Sequence, residues 1–195
     1  ESIIESFTEQ GFKNFYISIN YKGEMIEEYF GDGSDLGVQI NYVREDKRLG
    51  TAGSLKLLPE TNTQPIIVMN GDILTKVDFR NLLDFHISQE ADATLCIREY
   101  QLEVPYGVVS VERNRFKGIE EKPKEKFHIN AGLYVLNPDL RGYIPENTYF
   151  DMPELFKTRY KEIEEKSLKM AIELVDEYSA KEELKSMQEE KIVPI

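Results

Sequence analysis

A single cysteine, Cys96, excludes an internal disulfide. It lies in the strand-like run Ala93-Thr94-Leu95-Cys96-Ile97, where it is expected to pack as a small hydrophobe, in keeping with the reducing cytoplasm. Histidine is almost as scarce, with two residues. His86 falls on a predicted helix with no second metal ligand nearby, and both His86 and His128 read as packed or exposed side chains rather than catalytic ones. No apolar run approaches the roughly 20 residues of a membrane helix, and no signal peptide is recognisable, so no membrane partner is expected. Positive charge is also short. With a net charge of −12 and no basic stripe, the chain is not expected to bind a nucleic acid polymer. A small phosphorylated ligand with magnesium remains compatible with that balance. Repeats and low-complexity linkers are missing as well.

What is present is the balance of a soluble globular protein: 41% apolar and 31% charged residues over 195 positions, read as a single domain over 1–195. Ile3, Ile4, Phe7 and Phe12 recur near helical spacing, and Gly11 stops that helix. Phe15–Asn20 reads as a strand, Met25, Ile26, Tyr29 and Phe30 as a helical stripe closed by Gly31-Asp32-Gly33, and Val38–Val43 as a further strand. Strand alternating with helix is the pattern of a layered α/β sheet. Asp78 is placed to cap a helix through Phe79, Leu82, Leu83, Phe85 and Ile87. Tyr106–Val111 and Phe116–Glu121 flank Arg113-Asn114-Arg115 as a β-hairpin, and His128–Leu136 supplies another strand. Asp151-Met152-Pro153-Glu154 has the acidic cap, early proline and glutamate of a capping box. Leu168, Ile172, Val175 and Tyr178 carry a helical stripe onward, and Ser179 with Glu182 resembles a second box, so about residues 155–190 are expected to be helical.

Two stretches carry candidate chemistry. Pro65-Ile66-Ile67-Val68-Met69-Asn70-Gly71-Asp72 reads as a strand buried on both faces that ends in a carboxylate. Ligands of open α/β sheets bind outside the carboxyl ends of strands, so Asp72 is a candidate metal and phosphate residue; the plainer alternative is that it caps the next turn. Leu49-Gly50-Thr51-Ala52-Gly53 leads into a helix through Leu55, Leu57 and Leu58, where glycines let a backbone approach a ligand or simply make a tight turn. Glu120-Glu121-Lys122-Pro123, taken alone, is a solvated loop.

Taken together and in order, Leu49-Gly50-Thr51-Ala52-Gly53, Asn70-Gly71-Asp72, Tyr106-Gly107-Val108-Val109, Glu120-Glu121-Lys122-Pro123 and Asn130-Ala131-Gly132-Leu133-Tyr134 resemble the motifs of the sugar-1-phosphate nucleotidyltransferases. The Leu-Gly-Thr-Ala-Gly form looks most like the mannose-1-phosphate guanylyltransferase branch. The resemblance implies a Rossmann-like mixed sheet flanked by helices, and a reaction of a nucleoside triphosphate, expected to be GTP, with a sugar 1-phosphate to give a nucleotide-sugar and pyrophosphate. Such enzymes supply activated sugars for cell-surface glycans. By similarity Asp72 would hold magnesium against the phosphates, and Gly50, Thr51 and Gly53 would lie near the base. Gly107 with its N–H would approach the sugar ring, Glu121 and Asn130 would hydrogen-bond sugar hydroxyls, and Lys122 would meet the sugar phosphate as a point charge.

The chain departs from the family pattern at both ends. It opens at Glu1 inside a helix, after the place of the family's glycine-rich signature loop and first strand, and it has no tryptophan to mark the family's second magnesium-binding aspartate. It stops at Lys191-Ile192-Val193-Pro194-Ile195, where a strand reads as starting, so a fragment of a longer protein, inactive alone, is expected. A missing first strand would leave a sheet edge or slot open, which makes a homo-oligomer that covers it one expectation. Three alternatives stay open: a non-catalytic nucleotide-sugar-binding or regulatory module of the same fold, a thymidylyl-, uridylyl- or cytidylyl-specific relative, and a glycosyltransferase. In the last, a paired-aspartate metal motif would stand where this chain has Asn70-Gly71-Asp72.

Overall fold

The computed structural model describes residues 2–60, 63–163 and 170–174. Helix α1 (Ser2–Glu9) leads to β1 (Asn14–Ile19), and α2 (Gly23–Phe30) crosses to β2 (Gln39–Arg44), which pairs with β1 in parallel. A short helical turn α3 (Gly50–Gly53) and a 3-10 turn (Ser54–Leu57) precede β3 (Ile66–Met69). Helix α4 (Phe79–Ser88), β4 (Ala93–Glu103), the hairpin β5 (Gly107–Glu112) and β6 (Arg115–Glu121), and β7 (Lys124–Leu136) follow. A 3-10 segment (Pro138–Tyr143), α5 (Met152–Ile163) and β8 (Met170–Leu174) complete the order. The larger sheet runs β3-β7-β4-β8, antiparallel across its first two pairings and parallel between β4 and β8. This is the mixed α/β sheet expected from the alternation of strand and helix patterns.

Strand β7 shows why the layers form. Its side chains alternate at period two. Leu133 and Val135 pack with Phe7 of α1 and with Phe79 and Leu82 of α4, while Tyr134 and Leu136 pack with Leu55, Leu140, Ile144, Met152 and Leu155 on the other face. Cys96 is buried on the α1/α4 side, as expected of a small hydrophobe, and the Phe7 and Phe79 rings stack there with centroids 3.7 Å apart. Phe15 of β1 belongs both to this cluster and to the one around Ile4, Val38 and Ile40, so α1 ties the β1–β2 pair to the larger sheet. His86 is a packed side chain: its Nδ1 lies 2.8 Å from Thr94 Oγ1 and its Nε2 lies 3.1 Å from Asn137 Oδ1. Asp78 caps α4 by accepting from Asn81 N–H at 2.9 Å, as its position implied.

Several expectations change. Strand β3 packs on both faces, Ile66 and Val68 against one cluster and Ile67 and Met69 against the other, but all four residues are half-buried because, among the described residues, β3 pairs only with β7 and its other edge is open. The glycines of Gly50–Gly53 are themselves the helical turn, not a lead-in to it. Strands β4 and β7 run well past the predicted Ala93–Ile97 and His128–Leu136. Ile172, read as part of a helical stripe, lies in β8, paired with Leu95; an isolated apolar spacing among many Glu and Lys did not outweigh the open edge of β4. Leu168, Val175, Tyr178, the Ser179–Glu182 box and the strand at Lys191–Ile195 lie outside the described residues. No helix among the described residues is long and apolar enough to cross a membrane.

Candidate functional site

The β3 carboxyl end is shaped by an irregularity in its partner. Leu95 pairs with Tyr134 but Ile97 pairs with Asn130, so three residues of β7, Ala131 to Leu133, stand opposite Cys96 alone. Extra residues on one strand bend it and re-aim its side chains. Gly132 absorbs the bend at φ 71°, where a side chain is strained, and a Cβ there would meet Asn70 Nδ2 at 2.8 Å. Its carbonyl accepts from Asn70 N–H at 3.1 Å, fixing the turn that follows β3. Asn130 is held by the same bulge: its Oδ1 accepts from Gly132 N–H at 2.9 Å and its Nδ2 donates to Tyr134 Oη at 2.6 Å. One N–H and one lone pair of that exposed amide remain for a ligand. Burial pushes the Tyr134 phenol up, with the Asp151 charge acting in the same direction.

Asp72 lies in the turn after β3, exposed, and its carboxylate has no hydrogen bond or ion pair among the described residues. It does not cap the turn: Ile73 N–H donates to Asn70 C=O at 3.4 Å. A free carboxylate at a strand end is suitable donor chemistry for magnesium, which typically takes one or two protein carboxylates and completes its shell with phosphate and water. No group of three or more acidic, histidine or cysteine side chains that could enclose an ion occurs among the described residues.

The Gly50–Gly53 turn is bound to a segment a hundred residues away. Phe150 C=O accepts from Ala52 N–H at 3.0 Å and from Gly53 N–H at 2.9 Å, and Phe150 N–H donates to Leu49 C=O at 2.7 Å. Asp151 Oδ1 accepts from Thr51 N–H at 2.9 Å and from its hydroxyl at 3.2 Å, and Thr51 Oγ1 in turn accepts from Met152 N–H at 2.9 Å. Tyr149 donates to Asp151 Oδ2 at 2.6 Å, and Arg48 lies 5.9 Å from the Tyr149 ring centre. Gly50 sits at φ 82°, and a Cβ there would come within 2.7 Å of Asp151 Oδ1. On the other flank Glu45 accepts from Leu49 N–H at 2.8 Å and from the Ser18 hydroxyl at 2.5 Å, tying the turn to the end of β1. The Tyr149 hydroxyl, then the Thr51 N–H, holds the Asp151 carboxyl below its usual range. Asp151 is therefore no simple capping-box residue. Its carboxylate reaches across to Thr51, and its own helix start is capped by Thr51.

Gly107, Glu121 and Lys122 meet at the hairpin base. Gly107 lies opposite Glu121, a Cβ on it would touch Glu121 Oε2 at 2.9 Å, and Lys122, at φ 48°, donates its N–H to Tyr106 C=O at 3.2 Å. Between them and Asn130 the β4–β7 ribbon runs six residues per strand, from Ile97 opposite Asn130 to Glu103 opposite Lys124, a path of about 20 Å. No hydrogen bond or ion pair joins the two groups among the described residues. The fold thus gathers the predicted residues into three sets: Asp72 with Asn130 at the end of β3, Gly50–Gly53 with Thr148–Met152, and Gly107, Glu121 and Lys122 on the ribbon. Asp151, Tyr149 and Glu45 escaped sequence reading, because a local capping pattern explains Asp151 fully and nothing in the chain signals a contact over a hundred residues.

The sequence model described as nucleotidyl transferase matches residues 1–178. D-glycero-alpha-D-manno-heptose 1-phosphate guanylyltransferase of Aneurinibacillus thermoaerophilus is 37% identical over 130 residues, covering 66% of this chain and 56% of that protein. Mannose-1-phosphate guanylyltransferase of Mycobacterium tuberculosis is 36% identical over 140 residues, covering 70% of this chain and 39% of that protein. The chain therefore spans little more than half the length of the first of these relatives and two fifths of the second. Among solved structures, HddC from Yersinia pseudotuberculosis superimposes with a TM-score of 0.67 at 18% identity, over 97% of this chain and 84% of that one, and the same protein has been solved with GMP-PN. At that identity the likeness speaks for the fold.

Proposed function

Because the chain belongs to the nucleotidyl transferase family, we propose that it forms the catalytic core of a sugar-1-phosphate nucleotidyltransferase that joins GTP to a sugar 1-phosphate with magnesium. The observation that carries this reading is the unpartnered Asp72 carboxylate at the end of β3, beside the bulge that presents Asn130. The names of the guanylyltransferase relatives support the base, and a UTP--glucose-1-phosphate uridylyltransferase of Synechocystis, 31% identical over 171 residues, is the main alternative.

In the proposed reaction a phosphate oxygen of the sugar 1-phosphate attacks the α-phosphorus in line, the α–β anhydride bond breaks and pyrophosphate leaves with the bonding pair. Little covalent chemistry falls to the protein, whose work is positioning and charge neutralisation. Asp72 would hold the magnesium ion, which supplies positive charge against the phosphate oxygens when bound. Asn130 would orient sugar hydroxyls through its remaining N–H and lone pair. Gly107, Glu121 and Lys122 would approach from the ribbon, Glu121 accepting from hydroxyls and Lys122 facing the sugar phosphate.

The test is pyrophosphate release by the full chain over a panel of GTP, UTP, dTTP and CTP with mannose 1-phosphate, heptose 1-phosphate and glucose 1-phosphate. Release that needs magnesium, favours GTP and falls by orders of magnitude in Asp72→Asn supports the reading. The separation of the ribbon residues from Asn130 favours a second reading, a nucleotide-sugar-binding module without turnover. Binding of a nucleotide-sugar with no release in any combination would select it.

A further inference from the structure

Of the four backbone N–H groups in Gly50–Gly53, three are used inside the protein: Thr51 donates to Asp151, and Ala52 and Gly53 donate to Phe150 C=O. The Gly50 N–H has no partner among the described residues. Satisfied donors cannot also read a base, so Thr51, Ala52 and Gly53 use their N–H groups to shape the turn. What holds the turn in place is the pair of mutual caps between Thr51 and the start of α5. Thr51 Oγ1 accepts from Met152 N–H while donating to Asp151, whose carboxylate also receives Thr51 N–H and the Tyr149 hydroxyl. A Cβ on Gly50 would come within 2.7 Å of that carboxylate oxygen and 2.8 Å of Phe150 C=O, so only glycine leaves room for this arrangement.

We propose that Asp151 is a positioning residue for the nucleotide: through its mutual cap with Thr51 it fixes the conformation of the Gly50–Gly53 turn, which the resemblance sets near the base. This rests on the nucleotidyltransferase reading above. Thr51 acts by the same cap rather than by touching the base. A serine there keeps the hydroxyl, so Thr51→Ser preserves the lock and Thr51→Val breaks it. Arg48 lies 5.9 Å from the Tyr149 ring centre, and its charge favours the ionised Asp151 carboxylate.

The experiment uses the full chain with Asp151→Ala, Asp151→Asn, Thr51→Ser and Thr51→Val. Amide hydrogen exchange is followed at residues 51–53 and, as a control, at Leu133–Leu136 in the core, and GTP affinity with magnesium is measured by calorimetry. Asp151→Ala and Thr51→Val should speed exchange at 51–53 and weaken GTP by about tenfold, the worth of one or two hydrogen bonds, with the core amides unchanged. Asp151→Asn, which keeps an acceptor oxygen, should fall between, and Thr51→Ser should match the unaltered chain. Faster exchange at 51–53 with unaltered GTP affinity overturns the proposal. So does unchanged exchange at 51–53, or exchange rising equally in the core, which would make Asp151 merely structural. Failure of the unaltered chain to bind GTP instead overturns the nucleotidyltransferase reading, and the proposal with it, whatever the variants do.

Discussion

Gly132 and Asp151 illustrate how single positions set the site. Gly132 carries the bulge of β7 at φ 71°, with Ile73 Cδ1 2.5 Å and Asn70 Nδ2 2.8 Å from where a Cβ would stand. Gly132→Ala meets strain and crowding at once and should cost about 2 kcal/mol, read as a lower urea midpoint with an unchanged slope. Asp151 makes a pH prediction. Its carboxyl is held below the usual aspartate value of 3.8, so the charged form is favoured in the folded chain. The stability it adds is complete above that value and lost as pH falls through the lowered one. The Thr51 amide resonance should stay constant from neutrality down to about pH 4 and move only below it. Movement at higher pH would show that Asp151 is not held in its charged form. Asp72 was legible in the sequence because a buried-looking strand ending in Gly-Asp is a local signal. Asp151 was not, since its partner Thr51 is a hundred residues away and its local pattern already had an explanation.

At the scale of elements, short runs of apolar and β-forming residues located β1, β2, β3 and the β5–β6 hairpin, whose turn at Arg113 and Asn114 has φ of 46° and 62° as a two-residue hairpin turn requires. The outer halves of β4 and β7 were invisible. Glu99–Glu103 and Lys124–His128 are exposed and mix charged with apolar side chains, and they are strands because they pair with each other, with Glu99–Lys126 and Glu103–Lys124 ion pairs across the ladder. Pairing partners are a property of the fold, not of either stretch. The same holds for β8, whose apolar residues read as a helix until β4 is there to receive them. The join between α4, β4 and the end of β7 is polar and buried: His86 bridges Thr94 and Asn137, and Asn137 donates to Ala91 C=O at 2.9 Å. Thr94→Val keeps the volume and leaves His86 Nδ1 buried without a partner, which should cost about 1 to 3 kcal/mol in chemical denaturation. A cost near zero would mean that the ring turns to find another partner.

Over the whole molecule, the α/β layering follows from the period of the apolar residues, and the functional reading follows from where the layering leaves chemistry. The helices cover both faces of the larger sheet, so its candidate groups lie at an edge and an irregularity, Asp72 after β3 and Asn130 at the bulge within β7, with Gly50–Gly53 following β2 of the separate two-stranded pair. On the proposed function, the net charge of −12 would make neutralisation of a triphosphate depend on magnesium and on a few placed cations such as Lys122 rather than on the overall field. The central claim is that Asp72 organises a magnesium-nucleotide site. It is tested most directly by thermal unfolding of the full chain and of Asp72→Asn, each with magnesium and GTP, UTP, dTTP or CTP. A nucleotide at about 100 times its dissociation constant adds about 2.7 kcal/mol to stability, a shift of several degrees. GTP with magnesium should stabilise the unaltered chain, withdrawing magnesium should abolish the shift, and Asp72→Asn should unfold at nearly the same temperature unliganded but gain nothing from GTP. Equal stabilisation of both chains, or of neither, would contradict the central claim.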